Sequence, residues 1–239
     1  MSEIREFRCD IGKENYSQLN NEINPKNTCN TTSMVMALDY MGYKFPDYET
    51  EYKQPEDQLT EFCLTSPVVR EFYGKLSPTM YNQWIEEMAE NEKKYSSIKD
   101  FKFDKSYPPN EVHAVLSFAT NKWLGVENAT NFRMDLTIED ITKELIDRRP
   151  VVVSVKFGKL NHVLALTGVK IERNDESWTP ISFYADDTYG KFDFKTGKYN
   201  TSVTGNNCEM FSADLVPCMK AIGSNLKWGH LFTPAPAVV

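Results

Sequence analysis

The sequence lacks any long apolar run and begins without a hydrophobic leader segment. In its 239 residues no apolar stretch approaches the ~20 residues that a membrane-spanning helix requires, and Val151–Val155 is among the longest. The chain is charged at positions 3, 5, 6 and 8, where a signal peptide would be turning apolar. We therefore expect no signal peptide, no membrane insertion and a cytoplasmic location.

The sequence also lacks an excess of basic residues. It contains 27 Lys and Arg against 34 Asp and Glu, which gives a net charge of −7 at neutral pH. Proteins that bind nucleic acid or anionic membranes through non-specific electrostatics need positive charge on the binding surface. We therefore expect neither nucleic acid nor an anionic membrane surface as a partner.

Cysteine is scarce and scattered, and no metal-binding motif is present. The sequence has no CxxC pair and no Cys/His cluster with zinc spacing, so reduced thiols are expected. The acidic residues Asp186, Asp187 and Asp193 lack the calcium-loop pattern. We expect no required cofactor, with calcium as the alternative. The five cysteines are Cys9, Cys29, Cys63, Cys208 and Cys218.

Apolar residues in the first part of the chain repeat with helical spacing. Met34, Ala37, Leu38 and Met41 share one helix face and predict a helix over Cys29–Met41, with a cap at Asn27-Thr28. Further helices are predicted at Glu56–Leu64, from Pro78 onward, from Asn110 to Gly125, and after Thr137, which approximates a capping box with Asp140.

After Pro150 the apolar residues form short runs typical of strands. Strands are predicted at Val151–Phe157, His162–Val169, Pro180–Ala185 and Trp228–Phe232, with a hairpin turn at Gly158–Asn161 and an edge hairpin within Tyr189–Asn200. Helices followed by an antiparallel sheet are typical of the α+β class. Because the sequence has no repeat and no clear linker, we interpret residues 1–239 as a single domain.

Cys29 is the candidate nucleophile because it lies at the start of the most convincing helix. Free N–H groups and the positive end of the helix dipole favour a thiolate at that position. A small buried apolar residue at a helix start is the alternative interpretation. The motifs of other nucleophilic and nucleotide-binding enzymes, GxSxG, HExxH and GxGxxG among them, are absent.

His162 is the candidate general base. It opens a strand directly after a tight turn, and it follows Cys29 by 162 − 29 = 133 residues. That separation lies in the roughly 130–150 range typical of papain-type Cys and His pairs. His113 is the competitor, but its predicted place in the middle of a helix favours a core or surface role. His230 is interpreted as structural.

Strand parity separates two candidates for the acid that orients His162. Asp187 shares a face with the apolar residues Phe183 and Ala185, whereas Asp186 lies on the opposite face. We therefore predict Asp187 as the orienting carboxylate and Asp186 as a solvated neighbour or turn cap. The polar segment Ser17–Asn21, upstream of Cys29, supplies candidate oxyanion donors, of which Gln18 has the longest reach.

Several segments resemble the papain-like cysteine peptidases of the bacteriocin-processing (double-glycine leader) type, and are most similar to stand-alone phage and bacterial relatives of that type. That family has a glutamine, a polar loop and then a Cys-(Gly/Asn)-x-Thr-Ser helix start. It continues with a helix, a Pro-Val-Val-Val strand, Gly-His and an Asp-Pro-Tyr-Gly turn. The corresponding segments here are Tyr16–Asn21, Thr28–Met36, Asp140–Val155, Asn161–Leu164 and Asp187–Gly190.

The resemblance implies a papain-like fold with Cys29 as nucleophile, His162 as general base and acid, Asp187 as its orienter and Gln18 as oxyanion donor. Three residues depart from the family pattern and bear on specificity more than on catalysis: Asn30, Asn161 and Thr188. The likeness covers roughly 16–41 and 138–199. The stretch of about 47–135 is expected to be a helical elaboration around the cleft.

The family implies a peptidase, and its phage-borne relatives imply an endolysin. We therefore expect hydrolysis of amide bonds in peptides, with peptidoglycan as the substrate, and release to the cell wall at lysis. No separate wall-binding domain is expected. A protein-directed protease, an acyl transferase using the same residues and a non-catalytic papain-like binding scaffold are the alternatives.

Overall fold

The computed structural model describes residues 3–46, 50–173, 177–219, 221–222 and 226–236. The expected domain limits at residues 1 and 239, and residue 47, where the helical elaboration was expected to begin, lie outside the described residues. Within these ranges, no helix combines the length and the apolar character needed to cross a bilayer. The expectation of a single domain stays a prediction.

The helices occupy mainly the first two thirds of the chain. The α-helices are α1 (Cys29–Tyr40), α2 (Pro55–Thr65), α3 (Pro67–Leu76), α4 (Pro78–Lys94), α5 (His113–Leu124), α6 (Ile138–Ile146) and α7 (Ser212–Leu215). Short 3-10 helices lie at Gln18–Asn20, Ile98–Asp100, Pro109–Glu111 and Val216–Cys218. Proline begins α2, α3 and α4, where its missing N–H costs no helical hydrogen bond.

The strands form one large antiparallel sheet and a small separate hairpin. They are β1 (Glu3–Arg8), β2 (Thr130–Leu136), β3 (Val151–Phe157), β4 (Leu160–Arg173), β5 (Trp178–Asp187), β6 (Lys191–Asp193), β7 (Lys198–Asn200), β8 (Gly205–Phe211), β9 (Ala221–Ile222) and β10 (Leu226–Phe232). The large sheet has the order β2-β10-β3-β4-β5-β8, with β1 beside β4 and β9 beside β10, while β6 and β7 pair with each other.

Both faces of the sheet are covered, and alternate residues of the central strands feed the two apolar cores. Val163 and Ala165 of β4 pack with the helices α1 to α5, whereas Leu164 and Leu166 pack on the other side with α6 and α7. This alternation follows from the two-residue period of a strand. A strand buried on both faces reads as a continuous apolar run, which is how residues 163–166 appear in the sequence.

The α+β class is confirmed, and most predicted elements are present with small changes. Thr137 and Asp140 form the complete capping box, and Gly125 ends α5 in the left-handed conformation, at φ 68°. The predicted turn after β3 is shorter than expected, because the strands pair up to Phe157 and Leu160. The sequence pattern did not predict β1, β2, β8, α3 or α7.

Candidate active site

Cys29 is the first residue of α1 and lines a cleft of about 520 Å³ at one end of the sheet. The hydroxyl of Ser33, one turn further along α1, donates to the carbonyl oxygen of Val163 at 3.2 Å. That bond holds α1, which begins at Cys29, against β4 at the residue that follows His162. The apolar packing of Met34 and Val35 on the same helix adds to this anchoring.

The start of α1 is fixed by a polar network that differs from the predicted cap. Thr28 occupies the N-cap position, but its side chain caps no helical N–H. Instead, the Asn21 amide donates to the hydroxyls of Thr28 and Thr32 at 2.9 Å each. Both hydrogens of the Asn21 amide are therefore used to stabilise the start of α1, so this candidate oxyanion donor has none left for the cleft. The backbone N–H of Cys29 lies in the first turn, where no intrahelical acceptor exists.

His162 is held between the thiol and a carboxylate. Because β4 and β5 are antiparallel, the start of β4 lies beside the end of β5, and the Nε2 atom of His162 is 2.7 Å from Oδ1 of Asp187. The thiol of Cys29 also contacts the imidazole. Nδ1, the ring nitrogen that Asp187 leaves free, is available to it. Burial lowers the pKa of His162, but the charge and hydrogen bond of Asp187, with the Cys29 contact, outweigh it and raise the pKa above its ordinary value.

Asp187 receives hydrogen bonds on both carboxylate oxygens. Oδ1 also accepts the backbone N–H of Tyr189 at 2.9 Å, and Oδ2 accepts the hydroxyl of Tyr199 at 2.8 Å. These donors fix the carboxylate's plane, so the imidazole it holds has one favoured orientation. A side chain on Gly205 would overlap the carbonyl oxygen of Asp187, which explains glycine at that position in β8.

Tyr199 is a residue of the candidate site that the sequence did not indicate. It lies on β7, opposite Phe192 of β6, and the hairpin packs on β3 through stacking of Phe192 on Phe157 with ring centroids 4.3 Å apart. Burial and the neighbouring carboxylate of Asp187 raise the pKa of Tyr199 well above its usual range, so it stays a hydrogen-bond donor. No motif distinguishes this tyrosine from others in the chain.

The prediction that Asp186 is a solvated neighbour is wrong. Its side chain is fully buried on the face opposite Asp187, as strand parity requires. One oxygen accepts the hydroxyl of Tyr40 at 2.7 Å, and the other accepts the backbone N–H of Asn207 at 2.7 Å. Asp186 therefore links α1, β5 and β8 and does not reach the imidazole.

Gln18 is buried and lines the same cleft as Cys29 and His162. Its side-chain amide donates one hydrogen to the carbonyl oxygen of Pro25 at 3.0 Å, and its oxygen accepts the hydroxyl of Thr188 at 2.8 Å. An amide nitrogen has two hydrogens, so one stays available toward the cleft. The orientation of the amide is fixed by partners on both of its atoms, as an oxyanion donor requires.

Two of the residues that depart from the family pattern have structural partners at the cleft. Thr188, in the place of proline, orients Gln18 through its hydroxyl. Asn30, after the nucleophile, donates from its side chain to the carbonyl oxygen of Asn110 at 2.6 Å. That bond ties the start of α1 to the 3-10 helix Pro109–Glu111. The departures therefore shape the cleft while leaving the reacting side chains unchanged.

His113 was predicted to lie in the middle of a helix, and this is wrong. It is the first residue of α5 and lines the cleft. Its Nδ1 atom lies 2.9 Å from Nε2 of His230, and its ring packs on Trp228 with centroids 4.1 Å apart. His230 is fully buried, and burial, together with the charge of His113, lowers its pKa well below the ordinary value. The structure places neither histidine against Asp187.

Residues from the expected helical elaboration complete the cleft. Tyr107, Glu111 and His113 line it together with Gln18 and Lys26. Burial raises the pKa of Glu111 to about 7. No feature of the sequence around Glu111 distinguished it from the many exposed acidic residues of this stretch.

The three aspartates considered for calcium have separate partners. Asp193 accepts from the backbone N–H of Lys195 and the hydroxyl of Thr196 in the β6–β7 turn, at 2.9 and 2.8 Å. Asp186 and Asp187 point to opposite faces of β5 and are engaged as described above. In the part of the chain that the structure describes, no group of three or more His, Cys, Asp or Glu side chains could hold a metal ion.

Comparison with known proteins identifies the class. A model described as the Peptidase_C39 like family matches residues 12–213, and the chain therefore belongs to the C39-like peptidase family. The match runs through the middle stretch that the motifs covered only loosely. The resemblance to bacteriocin-processing cysteine peptidases is thus confirmed at the level of the family, while the likeness to endolysins stays a prediction.

A solved structure shares the fold. It is the crystal structure of a Bacillus anthracis protein described as a C39-like peptidase, with 13% sequence identity and a TM-score of 0.50. The similarity covers 96% of this chain and 98% of that one. No curated protein sequence matches the chain significantly.

Proposed function

We propose that the chain is a cysteine peptidase that hydrolyses amide bonds through a thioester on Cys29. The observation that carries the proposal is the position of His162, which contacts the thiol of Cys29 and the carboxylate of Asp187 within one cleft. A nucleophile and a base in contact, with the base oriented by a third group, form the arrangement that covalent amide hydrolysis requires.

The reaction begins when the sulfur of Cys29 attacks the carbonyl carbon of the scissile amide, with its proton held by His162. The tetrahedral oxyanion accepts hydrogen bonds from the Gln18 amide and the backbone N–H of Cys29. His162 then gives its proton to the leaving nitrogen, the carbon–nitrogen bond breaks and a thioester remains. Water, losing a proton to His162, hydrolyses the thioester and releases a carboxylic acid and the thiol.

The raised pKa of His162 fits this sequence of proton transfers. An imidazole that stays protonated at neutral pH is ready to protonate the leaving amine, and it stabilises the thiolate beside it. Asp187 maintains both properties through its 2.7 Å contact, and Tyr199 keeps Asp187 in place. A neutral base would instead have to remove the thiol proton during the attack.

We further propose that the substrate is a peptide of peptidoglycan and that the protein acts as an endolysin. This part is supported by the sequence resemblance to stand-alone phage and bacterial relatives. The cleft, about 520 Å³ in volume and lined by polar and aromatic side chains, has room for several residues of an extended peptide. On this proposal the protein is cytoplasmic until lysis and then reaches the wall.

Purified sacculi test both parts of the proposal. The wild-type protein is expected to release new free amines, and Cys29→Ala is expected to release none while remaining folded, because the substitution removes one small side chain at the edge of the cleft. Mass spectrometry of the released fragments identifies the bond. New reducing sugar ends without new amines would indicate a glycosidase and refute the cysteine-peptidase mechanism.

The alternatives give different results in parallel assays. A protein-directed peptidase would leave sacculi intact but cleave denatured protein substrates in a Cys29-dependent way. An acyl transferase would form a new amide when a free amine is supplied, instead of a free acid. A non-catalytic scaffold would bind peptides and show no Cys29-dependent turnover on any of them.

A further inference from the structure

Glu111 is an acidic residue in the candidate cleft that the proposed chemistry does not use. It ends the 3-10 helix Pro109–Glu111, directly before the region that begins α5, and lines the same cleft as Cys29 and His162. The neighbouring carbonyl of Asn110 accepts the Asn30 side chain at 2.6 Å. The segment that carries Glu111 is thus tied to Asn30, the residue that follows Cys29, and Glu111 lines the cleft that holds the proposed reacting groups.

The carboxylate of Glu111 has no countercharge among the residues that the structure describes. Burial raises the pKa of Glu111, and no described Lys or Arg forms an ion pair with it. Lys26 lines the same cleft but belongs to the loop before α1 and forms no ion pair with Glu111. Glu111 is half-buried, and a half-buried carboxylate that lines a cleft without an ion pair is suited to bind a cationic group of a ligand.

Aromatic side chains share the cleft with this carboxylate. Tyr107 lines it, and its carbonyl oxygen is held by the hydroxyl of Tyr73 at 2.7 Å. Trp228 also lines the cleft and packs on His113, two residues after Glu111. A carboxylate accompanied by aromatic faces is suited to an ammonium group and its alkyl chain.

We propose that Glu111 binds an alkylammonium group of the peptide substrate, with Tyr107 and Trp228 lining the same subsite. This rests on the proposed peptidase function and names a class of substrate for it. The ammonium comes either from a lysine-type side chain or from a free amino terminus. Binding brings a positive charge to the half-buried carboxylate of Glu111, and the attraction between the two favours an ammonium group over a neutral one.

Binding to the Cys29→Ala variant of the full chain tests the inference without turnover. The probes are N-acetylated hexapeptide amides of alanine and glycine, with lysine or norleucine at each position in turn, and calorimetry measures their affinity. At one position lysine should bind at least about tenfold more tightly than norleucine, which corresponds to ~1.4 kcal/mol. Unacetylated norleucine peptides form a second arm and reveal whether a free amino terminus is recognised instead.

The ammonium preference should disappear when Glu111→Gln is added, and Glu111→Lys should favour a glutamate-containing peptide at the same position. Glu127→Gln, which changes an exposed carboxylate outside the cleft, should leave the preference unchanged. Equal binding of lysine, norleucine and free-terminus peptides, no binding at all, or a preference that survives Glu111→Gln would overturn the inference. If the preference holds but the wild-type protein cuts none of the bound peptides, the proposed function fails and the subsite stands.

Discussion

Replacing Asp187 is the sharpest test of how the cleft works, because the structure gives each of its contacts. In Asp187→Ala, the Nε2 atom of His162, the N–H of Tyr189 and the hydroxyl of Tyr199 all lose their acceptor. In Asp187→Asn, the amide oxygen can keep the first two donors, and the Tyr199 hydroxyl can turn to accept from the new NH₂ group. The asparagine variant therefore removes the charge while retaining most of the geometry.

The two variants should separate orientation from charge. Loss of an orienting carboxylate costs up to ~10⁴ in kcat in serine enzymes. A cysteine enzyme starts from a partly formed thiolate, so we expect Asp187→Ala to lower kcat by at least ~10²-fold and Asp187→Asn by roughly tenfold. Asp187 raises the pKa of His162, so both variants should lower it. The alkaline limit of kcat/KM should then move down by about 1–3 pH units, since an adjacent opposite charge has effects of that size.

The matched control is the adjacent carboxylate, Asp186. Because Asp186 is fully buried and accepts from Tyr40 and Asn207, alanine at this position would endanger folding, and Asp186→Asn is the suitable change. It should change kcat less than ~5-fold, because the amide oxygen can still accept the N–H of Asn207 and the Tyr40 hydroxyl can turn to accept from the new NH₂ group. The measurement is a pH profile of kcat/KM for all three variants after circular dichroism has shown them folded. The reasoning is refuted if Asp186→Asn loses more kcat than the two Asp187 variants. It is also refuted if the alkaline limit of kcat/KM is unchanged in both Asp187 variants.

Three further outcomes are expected. Iodoacetamide at pH ~6 should label Cys29 faster than any other cysteine in peptide mapping, since burial raises the pKa of Cys9 to about 12 and that of Cys208 to about 11; equal labelling would contradict this. Gln18→Ala should lower kcat by about 10²–10³-fold in protein that circular dichroism shows to be folded, and an unchanged kcat would remove Gln18 from the oxyanion site. Burial raises the pKa of Glu56 to about 7, so the folded protein binds this proton more tightly than the unfolded chain and stability falls as pH rises from about 4.5 to about 7. Glu56→Gln should therefore raise the free energy of unfolding by about 1–3 kcal/mol at pH 8 and change it little at pH 4. Denaturant titrations at the two pH values measure this, and an equal effect at both would contradict it.

The sequence predicted those parts of the cleft that are carried by strong local patterns. The helix at Cys29 and the strand at His162 follow from apolar periodicity, and parity distinguishes Asp187 from Asp186 because alternate residues of a strand face opposite sides. The structure brings these side chains together, and the family match covers all of them. Their catalytic roles stay predictions until the variants are measured.

The remaining contacts join segments that are distant in sequence and have no local signature. Tyr199 reaches Asp187 from a hairpin whose position depends on packing against Phe157. Asp186 was misjudged because parity gives the face of a residue but not what covers that face, which here is Tyr40 of α1. His113 was misplaced because a 3-10 turn precedes α5, which moves the N-cap of the helix by two residues, from the expected Asn110 to Val112.

The β6–β7 hairpin links the hold on Asp187 to a small unit of the fold that we expect to open before the rest. Its strands pair only with each other, and a two-stranded ribbon of three residues a side is marginal without its aromatic packing. Such a unit can open locally while the large sheet and the helices stay folded. Each opening withdraws the Tyr199 hydroxyl from Asp187 and loosens the hold on His162. Heating should thus abolish peptidase activity at a temperature where the circular dichroism spectrum is still that of the native protein. Cooling should restore the activity.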